Sequence, residues 1–236
     1  MVLSIGENLS SSFEFAKDGL VGYWLRWIIL IVVTCIPIVN FITYGYLVKI
    51  YKGGDIAPEL EDYGEMFIDG IQLAIIGIIY IIIPIILITA GVVFAGFGGL
   101  VLLSTEVAAE AVTEVIIETA DEVAMGTASV MIGLLLILIG IVLVIIIGLV
   151  ATVAGIRFAK TEKFGEGFNF RAIFATLKEI GWGHYILSYI AFIIVVCIVA
   201  AIASLIPIIG WLLMLIITPL LILWQGKFFE NLYSCA

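Results

Sequence analysis

The side chains that could carry chemistry are few, and their longest ordered series is acidic. Glutamate recurs every four residues at five positions, which are Glu106, Glu110, Glu114, Glu118 and Glu122. On a helix of 3.6 residues per turn this spacing produces a carboxylate row, which could attract a divalent cation or a cationic partner. Calcium loops supply about six to eight oxygens from a D-x-D-x-D-G pattern, and that pattern is absent. We therefore interpret the series as a solvated acidic face.

The other reactive side chains are isolated from one another. His184 is the only histidine and lies close to Trp182 and Tyr185, which is typical of an anchor at a membrane–water boundary. The three cysteines are Cys35, Cys197 and Cys235. Because they form no CxxC pair and no cluster with histidine, neither a zinc site nor a disulfide framework is predicted. We expect no metal, no cofactor and no catalytic residues.

These isolated groups belong to a chain with the composition of a membrane protein. Of its 236 residues, 64% are hydrophobic and 12% are charged, whereas soluble domains carry about 45–50% and about 25%. The net charge of −9 opposes nucleic-acid binding. No Asp, Glu, Lys or Arg lies in the middle of a long apolar run, although ion-coupled transporters place such groups there. The sequence therefore indicates neither an enzyme nor ion-driven transport.

Long uncharged runs mark the membrane spans. A helix needs about 20 residues to cross a bilayer, and residues 71–103, 123–156 and 185–226 contain no charge. The last run is long enough for two spans. We predict an all-α polytopic bundle in one integral membrane domain, 1–236, with about six spans arranged as three hairpins. The predicted spans are about 22–36, 38–51, 71–90, 130–154, 183–205 and 211–228.

Residues 22–51 are the hardest to assign, because Pro37 divides them into halves of about 14–16 residues, which is short for a span. Two short spans, a re-entrant hairpin or one kinked helix would all fit the pattern. If the chain returns to its starting side, all ten Lys and Arg residues lie on that side and segment 104–128 has none. The positive-inside rule favours this arrangement, but it does not separate two short spans from a re-entrant hairpin.

The distribution of bases also predicts the orientation. Both termini are expected in the cytoplasm of a cell (plasma) membrane protein, with an outer acidic loop at 104–128. The glycine-rich stretch 91–99 is expected at the outer interface, just before that loop. The predicted cytoplasmic segments are 1–20, 52–70, 157–182 and 229–236.

The two ends of the chain carry similar patterns. Lys17-Asp18 followed by Gly22 resembles Lys178-Glu179 followed by Gly183 at an offset of 161 residues. Ile-Pro-Ile then recurs at 36–38 and 206–208. Both copies are expected to run from inside to outside, so they predict a parallel internal repeat of the first and last hairpins; chance similarity among apolar residues is the alternative. The predicted turns are at Pro37, Asn40, Pro207 and Gly210.

Glycines recur at steps of seven, eight and seven along the fourth predicted span. They are Gly133, Gly140, Gly148 and Gly155. A stripe of small residues lets two helix backbones approach closely in lipid. We interpret this stripe as a helix-packing seam, with a ligand groove as the alternative.

One stretch before the third span resembles a known family. Residues 53–80 read GGDIAPELEDYGEMFIDGIQLAIIGIIY, and the flanking stretches IPIVNFITYGYLVKIYKGG and RFAKTEKFGEGFNFRAIF extend the similarity. The pattern is similar to the family catalogued as domain of unknown function 4013, membrane proteins known mainly from archaea. The resemblance implies a multi-pass archaeal membrane protein and implies no activity. The motif residues are Gly54, Pro58, Glu59, Asp62, Phe67, Asp69 and Gly70.

The motif residues also predict a local structure. Pro58 suits the first turn of a helix, and Glu59 favours the positive end of a helix dipole. Leu60, Tyr63 and Phe67 would share one apolar face. We predict a short cytoplasmic helix that lies on the membrane and serves as a structural elbow into the span. A contact with a partner or with lipid headgroups is the alternative.

For function, the sequence predicts a non-catalytic membrane or envelope component. Such a protein would contact the lipid bilayer and pack as a homo-oligomer or with another membrane protein. The alternative is a permease or a lipid-handling protein without ion coupling, because neither requires an ionisable group inside the membrane.

Overall fold

A computed structural model of the chain consists of helices joined by short connections. It describes residues 4–111, 116–205 and 209–235, with the side chains of all of these except 106–111, 116–120 and 209. No strand occurs within this part of the chain, so the predicted all-α class is confirmed. The helices are α1 (Ile5–Leu20), α2 (Trp24–Cys35), α3 (Phe41–Tyr51), α4 (Tyr63–Ala111), α5 (Ile116–Thr161), α6 (Phe170–Ile180), α7 (Trp182–Ser204) and α8 (Ile209–Ser234). A 3-10 helix, Phe164–Phe168, precedes α6.

Within the described residues, four helices contain stretches that are long and apolar enough to cross a membrane. These stretches are Tyr63–Thr105, Asp121–Thr161, Trp182–Ser204 and Gly210–Ser234. A fifth span would arise if α1 and α2, which meet at 98°, formed one broken span. With 12 and 11 residues, α2 and α3 are about 18 and 17 Å long and are each shorter than the roughly 30 Å hydrocarbon core. The protein is therefore a multi-pass helical protein, and the predicted count of six spans is not confirmed.

The chain divides into two compact units. Unit 1 comprises Met1–Gly77 and Leu149–Ala236, and unit 2 comprises Ile78–Gly148. In unit 1 the aromatic rings of Phe192, Phe228 and Phe229 lie 5.0–5.5 Å apart between α7 and α8. The buried Tyr185 donates its hydroxyl proton to the carbonyl oxygen of Leu149 at 2.8 Å. These contacts join α5, α7 and α8 into the core of unit 1.

Helix α1, inside the predicted cytoplasmic segment 1–20, is ordered and packs on α8. The Asn8 Nδ2 donates to the carbonyl oxygen of Phe228 at 3.1 Å, and Asn231 Nδ2 donates to Asn8 Oδ1 at 2.8 Å. The indole N–H of Trp224 donates to the carbonyl oxygen of Leu9 at 3.0 Å. Because Asn8 is only 1% exposed, these bonds satisfy polar groups that burial would otherwise leave unpaired.

A glycine in the left-handed region separates each amphipathic helix from the apolar helix that follows it. Gly22 has φ 92° between α1 and α2, and Gly181 has φ 90° between α6 and α7. A residue with a Cβ is strained at such angles, whereas glycine is not. These two glycines are 159 residues apart, whereas the predicted repeat pairs Gly22 with Gly183. The internal repeat remains a prediction.

The structure corrects the predicted elbow. Residues 53–62 are not helical, and α4 begins at Tyr63. Gly53 has φ 98°, Gly54 has φ 140° and Asp62 has φ 55°, which are values incompatible with a right-handed helix. Pro58 therefore lies in an irregular connector (residues 52–62) rather than in a first helical turn, and Leu60 shares no helical face with Tyr63.

The structure gives the conformation of the glycine-rich stretch and of the predicted outer loop, whose positions on the outer side of the membrane stay predictions. α4 is helical from Tyr63 to Ala111 and α5 from Ile116, so stretch 91–99 and most of segment 104–128 are helical. Gly91 and Gly98 point toward α5 within unit 2: a Cβ built on Gly91 would lie 2.6 Å from the carbonyl oxygen of Gly133. Close backbone packing explains why the glycines do not interrupt the helix.

Candidate functional site

The connector is held in place by side chains that donate to its backbone. Three carbonyl oxygens accept such bonds, which satisfies groups that a helix or a strand would otherwise pair. The bonds are Tyr46 Oη to Pro58 (2.8 Å), Lys49 Nζ to Glu61 (2.8 Å) and Lys227 Nζ to Gly54 (2.9 Å). Since the donors come from α3 and α8, the connector is an ordered part of unit 1.

A half-open cleft of about 700 Å³ lies beside the connector. Its wall consists of α1, the beginning of α2, the connector and the end of α8. Four carboxylates line it, which are Glu14, Asp18, Asp55 and Glu59, and its two bases are Arg26 and Lys227. The motif residue Glu59 thus lies in the wall of this cleft.

Both bases of the cleft are already used by the fold. An Nη of Arg26 donates to the carbonyl oxygen of Gly19 at 2.9 Å, and its guanidinium lies 4.7 Å from the centre of the Tyr23 ring. The ammonium of Lys227 bonds the connector and also Glu230 Oε2 at 2.9 Å. The cleft therefore offers a ligand mainly carboxylate acceptors and apolar wall.

Glu230 is the centre of the most buried ion cluster. It is 4% exposed, and its two oxygens accept from Lys160 and Lys227, each at 2.9 Å. Ser234 Oγ donates to Glu230 Oε1 at 2.6 Å. A Cβ on Gly53 would lie 3.3 Å from the same oxygen, a close contact that adds to the strain that the positive φ would impose on any other residue. This cluster ties the ends of α5 and α8 to the start of the connector.

A second ion cluster contains the motif residue Asp69. Lys52 Nζ lies 2.8 Å from Glu162, 3.8 Å from Asp69 and 3.9 Å from Glu65. Burial alone would lower the pKa of Lys52, but its hydrogen bond to Glu162 and the neighbouring carboxylates raise it. The same hydrogen bond lowers the pKa of Glu162. The cluster joins the ends of α3 and α5 to the first turns of α4.

The last motif residues lie where α3 crosses α4. A Cβ on Gly70 would overlap the carbonyl oxygen of Phe41, and a Cβ on Gly45 would overlap that of Met66. The Phe41 and Phe67 rings meet edge to face at 6.0 Å. Gly70 is therefore fixed by backbone contact, and the structure brings all seven motif residues to the connector and this crossing.

The glycine stripe is divided between the two units. In unit 2, Gly133 lies against Gly91 and Ala95, and a Cβ on Gly140 would lie 2.5 Å from Ile88 and 3.3 Å from the Pro84 carbonyl. In unit 1, a Cβ on Gly155 would lie 2.9 Å from Leu73. Gly148 is half-buried.

Sequence reasoning missed the partner positions of this stripe. Gly126 lies against Gly98, so the contacts in unit 2 pair 84 with 140, 91 with 133 and 98 with 126. The pairs step by seven residues along both helices in opposite directions, as in an antiparallel coiled coil. The seven-residue spacing of the α4 glycines was the signal available in the sequence.

The structure describes three of the four residues that were predicted to lie at turns. Pro37 and Asn40 lie in the turn between α2 and α3, where the Asn40 amide donates to the carbonyl oxygen of Ile36 at 2.8 Å. A Cβ on Gly210 would overlap the Ala203 carbonyl, so Gly210 permits α7 and α8 to approach. Pro207 lies outside the described residues.

The remaining candidate groups do not form a site. Glu106, Glu110, Glu114 and Glu118 lie where the structure describes no side chain. His184 lies in the first turn of α7, and its Nε2 and the Oγ of Ser188 are buried without a hydrogen-bond partner. Across the described residues, no group of three His, Cys, Asp or Glu is placed to hold a metal ion.

Comparison with known proteins places the chain in a family. A family model described as a protein of unknown function (DUF4013) matches residues 28–208, which include α3, the connector and the two long helices. No curated protein and no solved structure matches the chain significantly. Because the match covers more than half of the chain, the protein belongs to the DUF4013 family.

Proposed function

For this member of the DUF4013 family, we propose a role as a non-catalytic component of the cell membrane that packs, through unit 2, with further copies of itself or with other membrane proteins. Its family carries no assigned activity, so the proposal rests on the protein's own geometry. The observation that carries it is the length of the apolar surface on α4 and α5.

The uncharged parts of α4 and α5 are longer than a bilayer is thick. Residues 71–103 and 123–156 are uncharged, and each stretch measures about 50 Å as helix. The hydrocarbon core is about 30 Å thick, and spanning helices tilt by at most about 40°. A 50 Å helix tilted by that much still reaches about 38 Å along the membrane normal. Each helix thus has apolar surface that the hydrocarbon does not cover.

Large exposed side chains lie toward the Ala111 end of α4. Val93 is 64% exposed, Phe94 47%, Phe97 55% and Leu100 68%. Where apolar surface of this kind lies beyond the hydrocarbon, it is typical of an interaction site. A second protein laid along unit 2 would bury these side chains, which supports packing as the role of this hairpin.

The orientation we propose follows the distribution of bases. All ten Lys and Arg residues lie outside segment 104–128, so the positive-inside rule supports a plasma membrane protein with cytoplasmic termini and an external tip on unit 2.

Cross-linking in membranes tests the packing. A photoreactive residue in place of Phe94 should give a discrete adduct, either of dimer mass or with one membrane protein in matching amount. The matched control is Phe174, which is 46% exposed in unit 1 and whose replacement should give no intermolecular protein adduct. Adducts with lipid alone at Phe94, in native membranes, would contradict the proposal.

The cleft favours a second candidate, a permease or lipid-handling protein without ion coupling. Its volume of about 700 Å³ falls within the roughly 300–1,000 Å³ of small-molecule sites. Its wall combines Phe15 and Ile56 with carboxylates, which would suit an amphipathic molecule.

A further inference from the structure

Helix α6 has two faces of different chemistry. Ile173 and Leu177 are fully buried, and Ile180 and Thr176 are nearly so. The Asn169 side chain accepts a hydrogen bond from the Ala172 amide at 3.3 Å and fixes the start of the helix. The inner face therefore holds α6 in unit 1, and the side chains of the opposite face are exposed.

The outer face of α6 combines aromatic rings with bases. Phe170 is 52% exposed, Phe174 46% and the adjoining Trp182 39%. Arg171 and Lys178 are exposed between them, at spacings of three and four residues that place them on one side of a helix. The rings of Phe174 and Trp182 lie 6.0 Å apart. We call these five residues the outer face of α6.

The position of α6 in the fold puts this face at the membrane surface. Only Gly181 separates α6 from α7, whose residues Trp182–Ser204 are long and apolar enough to span. The end of a spanning helix lies at the bilayer–water boundary. Aromatic rings prefer that boundary, and bases near it are attracted to anionic headgroups.

Helix α1 provides an internal comparison, because it precedes α2 as α6 precedes α7. Its exposed side carries Glu7, Glu14 and Asp18 with the single base Lys17. The outer face of α6 carries two bases, and Glu179 is the one carboxylate on its flank. The positive surface is therefore specific to α6 rather than general to the helices at this boundary.

We propose that the outer face of α6 binds the headgroups of anionic phospholipids. Phe170, Phe174 and Trp182 lie at the boundary between headgroups and acyl chains, and Arg171 and Lys178 pair with lipid phosphates. Each base near a charged surface strengthens binding about fivefold. This inference goes beyond the packing role of unit 2 and does not depend on it.

A fluorescent label on α6 tests the lipid preference. Ala175 is exposed on α6 between the two bases, so a bimane attached to Ala175→Cys, in the full chain with its three natural cysteines replaced by alanine, reports on this face. In phosphatidylcholine vesicles, brominated phosphatidylglycerol should quench the label more than the same fraction of brominated phosphatidylcholine does. The double substitution Arg171→Gln, Lys178→Gln should make the quenching by the two brominated lipids nearly equal. Lys17→Gln on α1 should leave the difference in quenching unchanged.

Two results would overturn the proposal. Equal quenching by both lipids in the parent chain would remove the anionic preference, and quenching by aqueous iodide alone would place the face in water. If the double variant unfolds, salt gives an independent measurement in the parent chain. The Debye screening length falls from about 10 Å at 0.1 M salt to about 3 Å at 1 M salt. The stronger quenching by brominated phosphatidylglycerol must therefore decrease as the salt concentration rises, and a preference that does not change with salt contradicts the proposal.

Discussion

Glu230 shows how much of unit 1 depends on single polar residues. It is 4% exposed, and it pairs with both Lys160 and Lys227 at the point where three chain segments meet. The sequence shows only the pair of Lys227 and Glu230, three residues apart on one helix. Lys160 is 70 residues from Glu230, so the burial of Glu230 and its pairing with Lys160 arise from the way α5 and α8 converge.

Replacing Glu230 with glutamine should destabilise the protein strongly. The substitution keeps the side chain's shape but leaves two partly buried ammonium groups unpaired, which should cost about 3 kcal/mol. Thermal unfolding of the detergent-purified protein measures the effect. The control is Glu179→Gln, an exposed residue of α6 whose loss should change stability by less than about 0.5 kcal/mol. Equal melting temperatures for the two variants would contradict the role of the cluster.

The motif residues show where a prediction from local sequence preferences fails. The preference of proline for a first helical turn predicted a helix at Pro58, but two positive-φ glycines precede it and two α3 side chains and one α8 side chain bind the connector's carbonyls. Bonds from outside the segment thus replaced the bonds that a helix would have formed. The crossing at Gly70 was equally hidden, since the contact is with a backbone more than 20 residues away.

At the scale of the helices, the sequence predicted the packing stripe that α5 contributes to unit 2 but not the positions on α4 that it contacts. The seven-residue spacing at Gly133 and Gly140 predicted a packing stripe, and glycine suits close packing in lipid. Its partner was missed because glycines at 91–99 were interpreted as the end of a span. Glycine lowers helix propensity by about 1 kcal/mol, yet backbone contact between apolar helices outweighs that cost here.

A bulky residue in the seam should weaken unit 2. Gly140→Leu would drive its side chain into Ile88 and the Pro84 carbonyl and should cost about 1–3 kcal/mol, measured as a lower melting temperature and loss of assembly. For the melting temperature, Gly96→Leu is the matched control on the same hairpin, because nothing lies within 4 Å of a Cβ there. A Gly140→Leu protein that stays assembled but loses solute flux in liposomes would contradict the packing role and favour a permease.

At the scale of the whole molecule, composition was enough for the fold class but not for the number of spans. A chain that is 64% hydrophobic must build apolar helices, and the part of the chain that the structure describes has four that are long enough to span. Hydropathy does not distinguish an apolar residue inside the bilayer from one that packs on protein beyond it. The long α4 and α5, and the short α2 and α3, were therefore assigned by bilayer thickness alone.

Labelling of single cysteines tests the topology. In a chain without its natural cysteines, a cysteine near Glu114 should react with an impermeant maleimide added outside, and one near Lys163 should not, because the bases stay inside. Both should react once the membrane is permeabilised. Reversed labelling would contradict the orientation, and labelling of both positions from one side would contradict the number of crossings between them.

The paired glycines of unit 2 also govern how its length can change in evolution. One residue inserted between Gly91 and Gly98 would rotate everything beyond it by about 100° and carry Gly98 away from Gly126. Seven inserted residues would restore the face but displace the partners by about 10 Å. Every contacting pair is preserved only if α4 and α5 gain or lose seven residues together. Family members should therefore vary freely in length between Gly98 and Gly126, and elsewhere in the hairpin by paired heptads.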